Sequence, residues 1–299
     1  ALVTRAGARV FDLSGAEVAR PVRSVAVDPA QLDRGSHRHF MAKEIHEQPA
    51  VASHALARYV TPGRRRIASP AEAFDWEGMS RLFLVGCGTA AYAGRVAKYW
   101  FEGLAGLPVE ADIASEFRYR EAPVEGREGA LFISQSGETA DTLAAMRHLA
   151  GRLPARGALV NVPESTIARE AEIVLPIEAG PEIGVASTKA FTAMLTVLAS
   201  TALLAARRRG RIDAEREATL LEALLALPRL LADTLRIERE AQAIAREIHT
   251  VPDVLYLGRG PLFPIALEGA LKLKEISYIH AEGYASGELK HGPIALIDG

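Results

Sequence analysis

The chain has 299 residues, 49% of them hydrophobic and 24% charged, with a formal net charge of −2 from 35 basic and 37 acidic residues. That is material for about two average domains with a sizeable core, and the near-neutral balance gives no support for a nucleic-acid or membrane-surface partner. The single cysteine, Cys87, excludes an internal disulfide framework and any multi-cysteine metal site, and a reducing cytoplasm is the expected location.

The longest charge-free run, 190–206, contains threonines and a serine and falls short of the roughly 20 strongly apolar residues of a membrane span. Residues 1–20 lack a basic head followed by an apolar stretch, so no signal peptide is expected. The chain opens on Ala1 and stops just after an apolar segment, which reads as a piece cut at both ends.

In chain order, residues 8–13 read as a short strand, Ser14-Gly15 as a turn and 17–20 as the return. Pro21 and Pro29 then interrupt regular structure, and a polar linker follows. Residues 40–59 have helical spacing, and Pro49 is expected to divide them into two helices. Ser69-Pro70-Ala71-Glu72 reads as a helix start. Apolar strands are then expected at 81–85, 130–133, 158–162 and 173–177. Helical stretches such as 90–103 and 139–149 lie between them. Short apolar strands separated by helices imply a doubly wound parallel sheet covered on both faces. A long helix spans 188–209, closed by Gly210. Its Arg207-Arg208-Arg209 end reads as a solvated helix terminus, with phosphate binding as the alternative. Residues 215–248 are helical with a break at Pro228. A strand at 254–257 and a helix at 266–278 begin a second α/β unit.

Five motifs carry chemistry. GCGT (86–89) and SQSGET (134–139) both run from a strand into a helix. Glycines there let the backbone approach a ligand, and helix N-termini attract anions. Ser134, Ser136 and Thr139 converge on one helix start, which suits a phosphate monoester; simple capping by Ser136 is the plainer alternative. No Gly-Lys-Ser/Thr follows, and no glycine triplet is present, so neither a Walker loop nor a dinucleotide fingerprint fits. EIGVASTK (182–189) again gathers a glycine and hydroxyls before a helix. Glu268, Lys272 and Glu275 share one helix face. From spacing alone they form a surface salt-bridge ladder, the alternative being a carboxylate base beside a charge-stabilising lysine. GELKHGP (287–293) holds His291, a ready proton shuttle, on a rigid turn. The other histidines show no metal-ligand spacing.

Together, GCGT, SQSGET, EIGVASTKAF, ALEGALKLKEISYIHAE and GELKHGP, in this order, resemble the sugar-isomerase (SIS) half of the glutamine–fructose-6-phosphate aminotransferases. HFMAKEIHEQP (39–49) resembles the segment that opens that half. The resemblance covers nearly the whole chain. It implies two SIS subdomains and a homodimer that makes glucosamine 6-phosphate from fructose 6-phosphate and glutamine-derived ammonia, in the first step of amino-sugar synthesis. No metal or cofactor is implied. Residues 1–28 would be the remnant of a glutaminase domain present in cis in the full chain, 29–44 a linker, 45–230 the first SIS subdomain and 231–299 the start of a second. The piece as given would not hydrolyse glutamine.

By the same resemblance, Ser134, Gln135, Ser136 and Thr139 would hold the phosphate, and Thr89, Val185 and Ser187 would line the sugar, with Glu182 close by. Glu275 would move the proton between C1 and C2, with Lys272 beside it. His291 would open the ring, reaching across the dimer. Two departures stand out: Ala90 replaces a serine common in the family, and the family's C-terminal loop with its lysine lies beyond the chain given. Other SIS phosphosugar isomerases or deglycases, and sugar-phosphate-sensing SIS modules, are the alternative functions.

Overall fold

The computed structural model describes residues 1–22, 32–61, 63 and 66–297. They fall into two compact units, Ala1–Asp33 and Arg34–Gly299. Pro29 and parts of the expected hairpin remnant and linker lie outside the described residues, as do Asp298 and Gly299.

In the small unit, β1 (Leu2–Thr4) and β2 (Gly7–Arg9) form an antiparallel hairpin that the sequence reading missed. The expected turn at Ser14-Gly15 is present. The Asp12 carboxylate organises it, accepting the N–H groups of Ser14 (2.9 Å) and Ala16 (3.0 Å). The flanking strands shrink to a single bridge between Phe11 and Glu17.

The large unit opens with α1 (Phe40–Tyr59), which runs unbroken through Pro49. A proline removes the N–H that would bond the carbonyl four residues back. Here that carbonyl belongs to Ile45, and the Gln48 side-chain amide donates to it at 3.0 Å. The expected division at Pro49 is thereby corrected. A short antiparallel pair comes next, β3 (Val60–Thr61) with β4 (Arg66–Ile67). Ser69 caps its turn as expected, accepting from the Ala71 N–H, but the segment it caps is a single 3₁₀ turn, Pro70–Ala73, rather than an α-helix.

The main sheet comprises β5 (Arg81–Gly86), β6 (Val109–Ile113), β7 (Glu128–Ser134), β8 (Arg156–Val160) and β9 (Ile173–Pro176). All neighbours are parallel, in the order β6-β5-β7-β8-β9. The crossovers carry α2 (Thr89–Ala105), α3 (Ala114–Phe117), α4 (Ala140–His148) and α5 (Thr166–Glu170). Alternate residues of the central strands bury on opposite faces. Leu82, Leu84, Leu131 and Ile133 join one core cluster with residues of α1 and α2, while Phe83, Val85, Ala130 and Phe132 join another with Phe117 and Met146. Two buried faces explain why these strands read as continuous apolar runs. Edge strand β6 was not anticipated, and β8 ends at Val160 rather than 162.

The long helix α6 (Lys189–Arg208) lies against α1 and α2. By length and composition it is apolar enough to cross a membrane, with a mean hydropathy of 1.6, which corrects the expected shortfall, yet 78% of that window is buried within the protein. Its arginine end is a clasp, which corrects the expected solvated terminus. Arg207 pairs with Glu217 (3.1 Å), Arg208 pairs with Glu72 (2.7 Å), and Arg209 donates to the carbonyls of Ala105, Trp76 and Met79. Next come α7 (Ala214–Leu225), α8 (Leu227–Thr234) with Pro228 in its first turn, and α9 (Glu238–Ile248). Strand β10 (Asp253–Gly258) then pairs in parallel with β11 (His280–Ala285), and α10 (Leu262–Ser277) connects them. Helix α10 packs on both strands and on α2.

Candidate functional site

Numbered within its own sheet, the strand order is 2-1-3-4-5, so the winding direction reverses between β5 and β7. Ligands of open α/β sheets bind beyond the carboxyl ends of the strands at that point. A cleft of about 260 Å³ opens there. The GCGT turn, the SQSGET turn, the loop entering α6 and the exposed side of α10 line it. A larger cavity of about 350 Å³ lies at the amino ends of the strands, lined by Phe74, Asp75, Arg127 and Glu128 among others. No helix N-terminus faces a ligand at that end of a parallel α/β layer, so the smaller cleft is the chemical candidate.

The SQSGET turn is held from behind. Ser134 is buried, and its hydroxyl accepts the Gly137 N–H at 3.0 Å and lies 2.9 Å from the Thr139 hydroxyl. The Glu138 carboxylate accepts the Thr166 N–H at 2.7 Å. Gly137 sits at φ +66°, and a Cβ there would lie 1.9 Å from the Ser165 hydroxyl. Ser136 is exposed and accepts the Glu138 N–H at 3.1 Å; the cap position of α4 is Thr139. Capping by Ser136 therefore does not explain the motif. Ser134, Gln135, Ser136 and Thr139 all line the cleft, as do Cys87, Thr89 and Ala90 of the neighbouring turn. The result is a group of hydroxyls, Ser134, Ser136 and Thr139, at the N-terminal end of α4, suited to a small anion, with Thr89 of α2 lining the same cleft.

The opposite wall comes from the EIGVASTK loop. Val185 and Ser187 line the cleft, and Val185 is almost fully exposed. Glu182 does not line it. Its carboxylate accepts the Ser187 hydroxyl (2.9 Å) and the N–H groups of Thr188 (2.9 Å) and Ala190 (3.1 Å), so it closes the start of α6 and holds Ser187. Sequence reasoning missed the support from α1. Buried Glu44 accepts the N–H groups of Ile183 (2.5 Å) and Gly184 (3.0 Å), and Glu47 pairs with the buried Lys189 at 2.6 Å.

Helix α10 supplies the third wall. Lys272 and Glu275 line the cleft, 2.6 Å apart. Lys272 also donates to the Thr89 hydroxyl at 3.1 Å, which in turn donates to Glu268 at 3.0 Å. The expected surface ladder is corrected at Glu268, which is only 5% exposed. Burial pushes its carboxyl up to about 7; Lys272 and the Thr89 hydroxyl pull it down less, and Glu275 adds to the rise. One of its oxygens, Oε2, is buried with no hydrogen-bond partner among the described residues. His291 lies exposed on the 3₁₀ turn Glu288–His291 and does not line the cleft of its own chain. Among the described residues, no three His, Cys, Asp or Glu side chains are grouped to hold a metal ion.

An open parallel sheet with hydroxyls and helix starts at its switch point defines an α/β domain whose strand ends suit a small anionic ligand. Residues 78–204 and 247–299 match the SIS domain family. The chain is 58% identical over 298 residues to the glutamine–fructose-6-phosphate aminotransferase (isomerizing) of Bradyrhizobium diazoefficiens, and 55% identical over 299 residues to that of Agrobacterium fabrum. It spans about half the length of these curated relatives, 49% of each. Among solved structures, it superposes on the C-terminal domain of glucosamine-fructose-6-phosphate aminotransferase from Francisella tularensis with a TM-score of 0.85 and 41% identity, covering 89% of this chain and 75% of that one. A glucosamine-6-phosphate deaminase from Thermotoga maritima, at TM-score 0.65 and 24% identity over 87% of this chain and 74% of that one, shares the fold. The chain belongs to the SIS domain family, on the branch of the isomerizing glutamine–fructose-6-phosphate aminotransferases.

Proposed function

We propose that this chain is the isomerase half of a glutamine–fructose-6-phosphate aminotransferase, converting fructose 6-phosphate and glutamine-derived ammonia to glucosamine 6-phosphate. The observation that carries this reading is the meeting, in one cleft, of the SQSGET hydroxyls with Lys272 and Glu275 from α10. The phosphate rests on Ser134, Gln135, Ser136 and Thr139, so that helix starts and hydroxyls meet its charge. The sugar lies along Thr89, Val185 and Ser187, with Glu182 acting through Ser187. Glu275 takes a proton from C1 and returns it to C2, while the Lys272 ammonium stabilises charge on the adjoining oxygen. His291 of a second copy opens the sugar ring, so the working unit is a homodimer. In this reading residues 1–28 end a glutaminase domain carried in cis, 29–44 link it, 45–230 form the first SIS subdomain and 231–299 begin the second. The location is the cytoplasm and the product enters amino-sugar synthesis.

The test is formation of glucosamine 6-phosphate from fructose 6-phosphate and glutamine by the full-length protein. Glu275→Gln is expected to reduce turnover about 100-fold or more with little change in fructose 6-phosphate binding, the scale of a lost general base. A wild-type protein that binds fructose 6-phosphate without making product overturns the reaction while leaving the site.

A further inference from the structure

Glu268, only 5% exposed, stands behind the cleft wall without lining it, and the chemistry above gives it no task. Its Oε1 accepts the Thr89 hydroxyl at 3.0 Å and lies 3.3 Å from the Lys272 ammonium. A threonine hydroxyl has one proton and two lone pairs. Thr89 commits its proton to Glu268 and one lone pair to Lys272, at 3.1 Å. Since Thr89 also lines the cleft, what it has left for a ligand is a lone pair.

We propose that Glu268 is a specificity-determining positioning residue that fixes Thr89 as a hydrogen-bond acceptor, so that this wall of the cleft receives a hydroxyl of a polyol phosphate and rejects groups that only accept. The inference rests on the sugar-phosphate reading of the site and adds what selects the sugar. A phosphate oxygen, a carbonyl or a carboxylate placed against Thr89 would find no proton there. The lone pairs would repel it, because the one hydroxyl proton points into α10. The alternative is that Glu268 merely staples α10 to α2. A staple would affect folding and every ligand alike, whereas a positioning residue affects the sugar and spares the phosphate.

Two variants of the full-length protein separate these. Glu268→Gln keeps a carbonyl acceptor for Thr89; Glu268→Met keeps the volume and removes the acceptor. Titration calorimetry with fructose 6-phosphate and with inorganic phosphate, beside thermal unfolding, gives the readout. The expected result is a loss of about tenfold or more in fructose 6-phosphate affinity for Glu268→Met, on the scale set by one hydrogen bond. Phosphate affinity is expected to change less than about threefold, and Glu268→Gln is expected to stay near wild type for both ligands. Thr89→Val is expected to mimic Glu268→Met, and the double variant to add little further loss, because the two act as one unit. Equal losses for both ligands overturn the proposal in favour of the staple. So does a Glu268→Met protein that binds the sugar phosphate normally, or a Glu268→Gln protein as impaired as Glu268→Met. A wild-type protein that binds phosphate but not fructose 6-phosphate removes the sugar-phosphate reading itself, a result in which the variants play no part.

Discussion

Glu268 also makes a prediction about stability. Its carboxyl is pushed by burial from an ordinary 4.5 up to about 7. An acid whose pKa is raised by folding binds its proton more tightly in the folded state. Its contribution is therefore intact below the unfolded pKa and is lost as pH rises through the folded one. Glu268→Gln removes that titration. Relative to wild type, the variant should gain roughly 2 kcal/mol of stability between pH 5 and pH 8. Urea midpoints at the two pH values check this, and a difference that stays constant across them would rule out the raised pKa. Gly137 is the other sensitive position. It combines φ +66° with a Cβ site 1.9 Å from the Ser165 hydroxyl and 2.4 Å from the Ser165 Cβ. Gly137→Ala should cost about 2 kcal/mol or more through strain and displaced packing. It should also weaken inorganic phosphate binding, because the hydroxyls on both sides of it shift. A variant with a normal melting temperature and normal phosphate affinity would show that the turn tolerates the side chain.

Helix α1 matters to the cleft although none of its residues lines it. Glu44 reaches across 139 positions in sequence to the Ile183 N–H and fixes the loop that carries Val185 and Ser187. Glu44→Gln weakens charge-assisted bonds to two amides, a loss of about 1.5–3 kcal/mol. Hydrogen exchange at Ile183 and Gly184 should accelerate accordingly, and fructose 6-phosphate binding should weaken in step. Unchanged exchange at those amides would show that the loop stands without its strut. These contacts also mark what the sequence could and could not reveal. Strands β5, β7, β8 and β9 were legible because burial on both faces writes them as unbroken apolar runs. Edge strand β6 was not, because Glu110 and Asp112 break its run to pair with Arg120. Pro49 misled because a local rule cannot see that Gln48 supplies the missing donor. The GCGT and SQSGET turns stood out because strand-to-helix glycines and hydroxyls have a local signature. Glu44 and Lys189 have none, since their partners lie far along the chain. Glu268 showed its spacing but not its burial, which depends on α2 packing over it.

The placement of His291 sets a condition that one copy of the chain does not meet. Exposed on the turn Glu288–His291, it is absent from its own cleft, whereas Lys272 and Glu275 are in place there. If ring opening needs it, a second copy must deliver it, and a two-fold dimer would supply each cleft with its partner's histidine. This makes complementation the decisive measurement. Full-length His291→Ala and Glu275→Gln should each be inactive alone. Co-expressed at equal levels and mixed at random, half the dimers carry one of each. In such a dimer one cleft holds both defects and the other holds neither, so about one quarter of wild-type activity should return if a two-fold dimer exchanges its histidines. If His291 instead served its own cleft, every cleft in the mixture would keep one defect and no activity would return. Recovery near one quarter therefore establishes both the dimer and the exchange. A mixture as inactive as its parents overturns the exchange, provided differently tagged subunits co-purify and so show that mixed dimers formed.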